Sequence, residues 1–309
     1  MNAAETLIPV FAMILLGMIS RITGLVTPEQ KEGAKGLVFN ILFPVLIFNA
    51  IFTSVIRKEY ILVIAYTALM FVCAYVLGLL LRKWHGEQYE NVTPFMLPTA
   101  EGGNMGLPLF MTIAAPEFMI YPVIFDLAGA LFAFIGAPVL VTKKTSGNVS
   151  LGTLLKTVFT NSFVIAVIAG LILNLAGVYR MLSASAFAGI YSNTASALTA
   201  PVGGVILFTL GYDLKAEREM LKPLLKLACT RVLFYAAVIL GFFVLFPSLM
   251  AGTEFRKAVI LYFMCPTGFA MPMIVSKLCR NEKESSFLSS FISMYMIITL
   301  IVYAMLVIA

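Results

Sequence analysis

The chain has 309 residues, of which 61% are hydrophobic and 12% are charged, and its formal net charge is +6. A soluble domain carries roughly 25% charged residues and could not bury so much apolar side chain without exposing large patches. Composition therefore excludes an ordinary soluble domain. The four cysteines have no paired spacing and there is one histidine, so no zinc or haem motif can be assembled.

Ten apolar segments follow one another along the chain. Each is long enough to cross a hydrocarbon core as a helix, which takes about 20 residues. In chain order the predicted spans are 5–23, 34–55, 60–81, 92–114, 119–142, 152–175, 186–212, 224–248, 257–277 and 285–308. The sequence thus predicts an all-α polytopic membrane protein with ten transmembrane helices.

The Lys and Arg residues fall mainly on one side of this arrangement. The loops after spans 1, 3, 5, 7 and 9, together with the adjoining span ends, hold 14 of them, whereas the opposite loops and span ends hold five. Cytoplasmic loops carry the excess of Lys and Arg, so both termini are predicted to lie outside. The positive net charge follows from this topology, and no nucleic-acid partner is expected.

Two halves of five spans meet at a polar connection near the middle of the chain. Residues 1–142 are predicted to form a first five-helix repeat, 143–151 a cytoplasmic linker and 152–309 a second repeat. Each half has an odd number of spans, so the second half enters from the opposite side of the membrane. Such a repeat is inverted.

Residues that disfavour helices are concentrated in the fourth span of each half. Span 4 contains TAEGGNMGLPLF, and span 9 contains MCPTGFAMP. Proline removes a backbone donor, and glycine lowers helix stability by about 1 kcal/mol relative to alanine. In lipid the freed backbone groups must be satisfied within the protein. We therefore expect spans 4 and 9 to be broken helices that cross near mid-membrane at a binding site. The prolines predicted to mark hinges or breaks are Pro44, Pro201, Pro108 and Pro266.

Ionisable residues are rare within the spans. The N-termini of half-helices suit an anion, and their C-termini suit a cation. Glu101 lies at the break of span 4, where a carboxylate must be protonated, paired with a cation or exposed to a watery cavity. It is the predicted ion- or proton-coupling residue together with Asp126 in span 5, and a structural role remains open for both. Arg231 in span 8 is expected to extend towards the cytoplasmic interface.

Five stretches carry a family resemblance over essentially the whole length. They are LIPVFAMILLGMISRITGLV, KEGAKGLVFNILFPVLIFNAIF, GGNMGLPLF, NSFVIAVIAGLILNLAG and PVGGVILFTLGYDL. Together they resemble the auxin efflux carrier family of secondary transporters, in its bacterial branch. The resemblance implies a fold like that of bile acid:sodium symporters, with two inverted repeats whose fourth and ninth helices cross at their breaks. It also implies a scaffold, or panel, of spans 1, 2, 6 and 7 and a transport domain, or core, of spans 3–5 and 8–10.

Substrates of relatives are mostly small organic anions, and the resemblance implies one here. Many relatives resemble Asn-x-Gly-x-x-Gly-x-Pro in span 4, whereas this chain has Glu101 in place of the amide. An acid there would repel a carboxylate unless it were protonated or balanced by a cation. The predicted substrate-binding residues are Glu101, Gly102, Gly103, Asn104, Pro108, Cys265, Pro266, Thr267 and Gly268.

The sequence predicts a secondary transporter of the bacterial inner membrane that moves a small organic anion by elevator-type alternating access. Proton coupling through Glu101 is the first expectation. A sodium-coupled symporter of the same fold and a non-transporting receptor or sensor are the alternatives.

Neither an enzyme nor a cofactor is expected, apart from a proton or Na⁺ as coupling ion. No P-loop occurs, and one histidine outside the spans leaves no Ser-His-Asp arrangement. The expected partners are a small-molecule substrate, in the first place a carboxylate, and the lipid bilayer. A homodimer is left open.

Overall fold

A computed structural model describes residues 3–145, 150, 152, 156, 158–214 and 220–308. Most of the predicted linker 143–151 and the beginning of span 6 lie outside the described residues. The described residues form helices joined by short loops, and no strand occurs among them.

The helices are named here in chain order. The first half contains α1 (Ala3–Thr23), α2 (Pro28–Phe52), α3 (Glu59–His85), α4 (Leu107–Met111) and α5 (Pro116–Lys144). The described part of the second half contains α6 (Ser162–Leu175), α7 (Ala188–Asp213), α8 (Leu221–Leu245), α9 (Thr253–Phe263), α10 (Met271–Val275) and α11 (Glu282–Ile308).

Seven of the described helices are long and apolar enough to cross a membrane, namely α1, α2, α3, α5, α7, α8 and α11. They are 21 to 29 residues long, which meets the requirement of about 20 residues. Large apolar side chains on them are exposed, among them Ile8, Leu80 and Val244, as expected of helices whose outer faces meet lipid. The chain is therefore a multi-pass membrane protein.

The other three predicted spans are not single long helices. Span 4 is a 3₁₀ turn (Thr93–Met96), an irregular stretch (97–101) and a π-helical turn (Gly102–Gly106) that leads into α4. Span 9 is α9, an irregular stretch (264–270) and α10. Span 6 is described as continuous helix only from Ser162. Spans 4 and 9 are thus interrupted where glycine and proline are concentrated, while the count of ten spans stays a prediction.

Three of the four prolines expected to break helices do not do so. Pro201 lies inside α7, which is continuous. Pro44 and Pro108 each lie two residues after a π-helical turn, in helix that continues through them. Only Pro266 of the four lies in an irregular stretch. No break occurs at Pro44, Pro108 or Pro201, and their role as hinges stays a prediction.

Helices α1 and α7 approach each other very closely because each has a glycine at the contact. A Cβ on Gly17 would lie 2.0 Å from the carbonyl oxygen of Phe208, and one on Gly211 would lie 1.9 Å from that of Ile14. Small residues at such contacts let helix backbones meet in membranes, where dispersion contacts replace the hydrophobic effect.

The remaining contacts place the irregular stretches among the helices. Helix α2 packs on α6 and α7, and α3 packs on α5 and α8. Helix α9 contacts α5, α8 and α11. At the end of α2, the Asn174 side chain from α6 donates to the carbonyls of Ile51, Phe52 and Ser54 at 2.7–3.1 Å, which ties these two helices together.

The glycine contact leads to a first prediction. Gly17→Ala and Gly211→Ala should each lower the melting temperature in detergent, because overpacking costs about 1–3 kcal/mol. Gly203→Ala is the control, since its Cβ would meet nothing within 4 Å and alanine favours the helix. Equal melting temperatures for the three variants would contradict this account of the α1–α7 contact.

Candidate functional site

The two irregular stretches lie against each other and satisfy each other's backbone. The Glu101 N–H donates to the Pro266 carbonyl at 2.7 Å. The Thr267 hydroxyl donates to the Met96 carbonyl. Polar groups freed from one broken helix are thus paired with the other, as burial in a membrane protein requires. This contact, called the crossing below, lies where spans 4 and 9 are predicted to cross.

One residue of the crossing has a strained backbone. Thr99 has φ +63°, a left-handed conformation that a β-branched residue rarely adopts. Its hydroxyl accepts the N–H of Gly268 at 3.3 Å, and its carbonyl accepts Nη2 of Arg231 at 2.6 Å. Strain of this type costs about 1–3 kcal/mol and persists only where surrounding contacts enforce it. The crossing therefore holds Thr99 by both of its oxygens.

The carboxylate of Glu101 joins the second parts of both broken spans. The residue is 6% exposed. One carboxylate oxygen, Oε1, accepts the backbone N–H of Asn104 at 2.9 Å and also the Asn104 side-chain amide. The other, Oε2, accepts the backbone N–H of Phe269. The N–H groups expected to receive a bound anion are therefore brought together, and the chain's own carboxylate occupies them.

Asp126 approaches the same place from α5. Its Oδ1 accepts the hydroxyl of Tyr262, from α9, at 3.2 Å. A Cβ on Gly102 would lie 2.3 Å from that Oδ1 and 2.7 Å from a ring carbon of Tyr262. Only glycine at position 102 allows this approach, so the two predicted coupling carboxyls, Glu101 and Asp126, lie on directly adjoining elements.

Arg231 does not extend to the interface, contrary to the sequence-based expectation. It is 0% exposed. Its Nη1 donates to the carbonyls of Met96, at 3.2 Å, and Leu97. Its Nη2 donates to those of Thr99 and Cys265, the latter at 2.9 Å. The guanidinium therefore binds carbonyls of both irregular stretches, and these acceptors at the crossing hold it far from the helix end.

Aromatic rings enclose this guanidinium. Its Cζ lies 4.6 Å from the ring centroid of Tyr235 and 5.1 Å from that of Tyr295, within the range of cation–π attraction. The Tyr235 hydroxyl also donates to the Leu97 carbonyl at 2.9 Å. Sequence reasoning missed Tyr235, although its position four residues after Arg231 places both on one helix face. It also missed Tyr262 and Phe269, which no local signal distinguishes.

A cavity of about 300 Å³ adjoins the two carboxyls and is also lined by phenylalanine rings from α2 and α6 and by Asn40 and Asn161. The predicted substrate-binding residues that line it are Glu101, Gly103, Asn104 and Gly268. Those that belong to the crossing without lining the cavity are Gly102, Pro108, Cys265, Pro266 and Thr267. Among the residues that the structure describes, no Lys, Arg or His lines it.

A second cavity of about 570 Å³ lies further along the same face of α2. Leu46 and Asn49 of α2 line it, together with residues of α7 and of the loop before α5. The Tyr191 hydroxyl, from α7, donates to Oδ1 of Asn49 at 2.7 Å in its wall. Because Phe43 of α2 lines the first cavity, the two cavities follow one helix face to different depths.

Comparison with known families agrees with this picture. Residues 2–150 match the family described as membrane transport protein. The match covers the first half of the chain. The match confirms the resemblance to auxin efflux carriers at the level of the family, and it includes Glu101 and Asp126. A search among curated proteins found no match.

The first half of the chain therefore resembles membrane transport proteins. No group of three or more His, Cys, Asp or Glu side chains suited to a metal ion occurs within the described ranges. The chemistry at the crossing is that of hydrogen bonds and fixed charges.

The bonds of Glu101 lead to a second prediction. Glu101→Gln should lower the melting temperature, because the amide nitrogen would face an N–H of Phe269 or Asn104 and leave it without an acceptor. A buried unsatisfied donor costs about 1–3 kcal/mol. The matched control is Glu59→Gln, at the exposed start of α3. Loss of stability no greater than in the control would show that the carboxylate does not hold the two spans together.

Proposed function

We propose that this protein is a secondary active transporter that carries a small organic anion together with protons. The observation that carries the proposal is the carboxylate of Glu101, which bridges the N–H groups of Asn104 and Phe269 at the edge of a cavity. Asp126 lines the same cavity. A carboxylate cargo would be repelled by two charged carboxyls, so its binding requires that they be neutralised. Protons supply that neutralisation.

Protonation of Glu101 would also change the crossing itself. A charged carboxylate only accepts hydrogen bonds, whereas a protonated one presents an O–H donor. The proton would therefore weaken one of the contacts from Asn104 or Phe269. In this proposal the proton thereby links the loading of the cavity to the bond between spans 4 and 9.

Sodium coupling receives less support from the same geometry. Coupling sodium ions in transporters are held by carbonyls of unwound helices and by the C-terminal ends of half-helices. Here the backbone carbonyls in the irregular stretches already accept hydrogen bonds from Arg231; they belong to Met96, Leu97, Thr99 and Cys265. A sodium ion would have to displace the guanidinium to reach them.

The proposal includes the full architecture expected from the sequence. It has ten spans in two inverted repeats, in the bacterial inner membrane, with both termini outside. The core of spans 3–5 and 8–10 would slide against the panel of spans 1, 2, 6 and 7. Support comes from the interruption of the fourth span of each half and from the packing of α1 on α7 and α2 on α6. The two cavities along α2 support alternating access.

A third prediction tests proton coupling. In proteoliposomes, an inward proton gradient should drive uptake of a small carboxylate by the wild-type protein. Glu101→Gln and Asp126→Asn should each lower the gradient-driven uptake rate at least tenfold, because each variant has one fewer group that can take up a proton. Flux along a cargo gradient, measured without a pH difference, should fall less.

Glu59→Gln serves as the control, since Glu59 is exposed at the start of α3, and it should transport as the wild type does. Unchanged pH dependence in both carboxyl variants would contradict proton coupling at this site.

A fourth prediction separates transport from the receptor alternative. Asn40→Cys in the first cavity and Ser192→Cys in the second would be introduced into a chain without its native cysteines. Alternating access predicts that cargo changes their labelling by a soluble maleimide in opposite directions, since one cavity opens as the other closes. A receptor that binds without alternating would change neither rate or both alike. Leu80→Cys, at the lipid-facing surface, reports any general effect of cargo on labelling.

A further inference from the structure

The buried guanidinium of Arg231 is the one charge at the crossing that the proposed transport cycle does not use. It lies on α8, outside both broken spans, and is 0% exposed. It has no carboxylate partner within ion-pair distance among the residues that the structure describes. A buried charge of this kind is costly unless other groups compensate it. The compensation here comes from carbonyl dipoles and aromatic faces.

The four carbonyls that accept hydrogen bonds from Arg231 lie at the ends of helical segments. Met96 ends the 3₁₀ turn of span 4, and Leu97 and Thr99 follow it, while Cys265 lies two residues after the end of α9. These carbonyls belong to the C-terminal ends of the first parts of both broken spans. Such ends carry partial negative charge and are the groups that bind a coupling cation where helices are unwound in a membrane.

We propose that Arg231 is a built-in replacement for a coupling cation. Its planar fork of N–H donors binds carbonyls from both stretches at once, so the crossing is complete without Na⁺ or K⁺. The rings of Tyr235 and Tyr295 add cation–π contacts that would suit a guanidinium. Removal of this side chain should leave an empty cation site of the same shape. The inference concerns the crossing itself and holds whichever solute is carried.

The test is the thermal unfolding of purified protein in detergent, at constant ionic strength, in choline, sodium, potassium or low-millimolar guanidinium chloride. The wild type should melt at the same temperature in the choline, sodium and potassium salts. Arg231→Ala should melt lower, and guanidinium should restore at least half of the loss by occupying the vacated space. Sodium should also raise its melting temperature relative to choline.

The matched control is Arg256→Ala. Arg256 is partly exposed on α9 and makes one long contact, at 3.5 Å, with the carbonyl of Met250. This variant should show a smaller loss and no recovery with guanidinium. Arg231→Lys should melt between the wild type and Arg231→Ala, because an ammonium has three donors and no planar fork.

Two results would overturn the proposal. One is a wild-type protein that sodium stabilises relative to choline, which would mean that the crossing still needs an external cation. The other is that guanidinium fails to raise the melting temperature of Arg231→Ala, or that it raises the melting temperature of Arg256→Ala by the same amount. If Arg231→Ala does not accumulate, Arg231→Lys decides, since a melting temperature equal to that of the wild type would show that the fork is not required.

Discussion

The rest of the structure depends on how backbone groups are satisfied where two helices are interrupted inside a membrane. Each unpaired N–H or C=O in hydrocarbon costs several kcal/mol. Arg231 takes the freed carbonyls, and Glu101 takes the freed N–H groups. The two residues place opposite charges at the ends of the half-helices that favour them. Glycine and proline can interrupt spans 4 and 9 because these two side chains are present.

This arrangement makes one unit of three elements that are distant in sequence. Span 4, α8 and span 9 share Arg231, and α5 adds Asp126 through its contact with Tyr262 of α9. A domain that slides past a scaffold must keep its internal hydrogen bonds at every position, because each unpaired polar group in hydrocarbon costs several kcal/mol. Internal charges that travel with the domain meet this requirement. The proposed core contains all of these residues. In the proposed panel, α1 and α7 meet closely at Gly17 and Gly211, and Arg21 of α1 donates to the Tyr212 carbonyl of α7 at 2.9 Å.

Much of the fold and part of the site could be predicted from the sequence, for identifiable reasons. Apolar length predicts the long membrane helices, and the concentration of glycine and proline predicts the interruptions of spans 4 and 9. Proline alone is a weaker signal, because helix can continue through it, as at Pro108 after a π-helical turn and at Pro201 inside α7. The role of Arg231 could not be predicted, since its acceptors Thr99 and Cys265 lie 132 and 34 residues away. Helical spacing does not show which neighbour a side chain faces.

The hydrogen bonds at the crossing explain why residue 101 is an acid. Asn104 and Phe269 present three N–H groups to the side chain of residue 101, so both of its terminal atoms must accept hydrogen bonds. A carboxylate meets this requirement, whereas an amide would turn its NH₂ group towards one of the N–H groups. With both carboxyls ionised, the charges of Arg231, Glu101 and Asp126 sum to minus one. Moving a net charge through hydrocarbon is costly and depends on the membrane potential. A single proton shared by the two carboxyls makes the crossing neutral, so the empty core is expected to move with one proton bound. A monovalent anionic cargo then requires a second proton to keep the loaded core neutral.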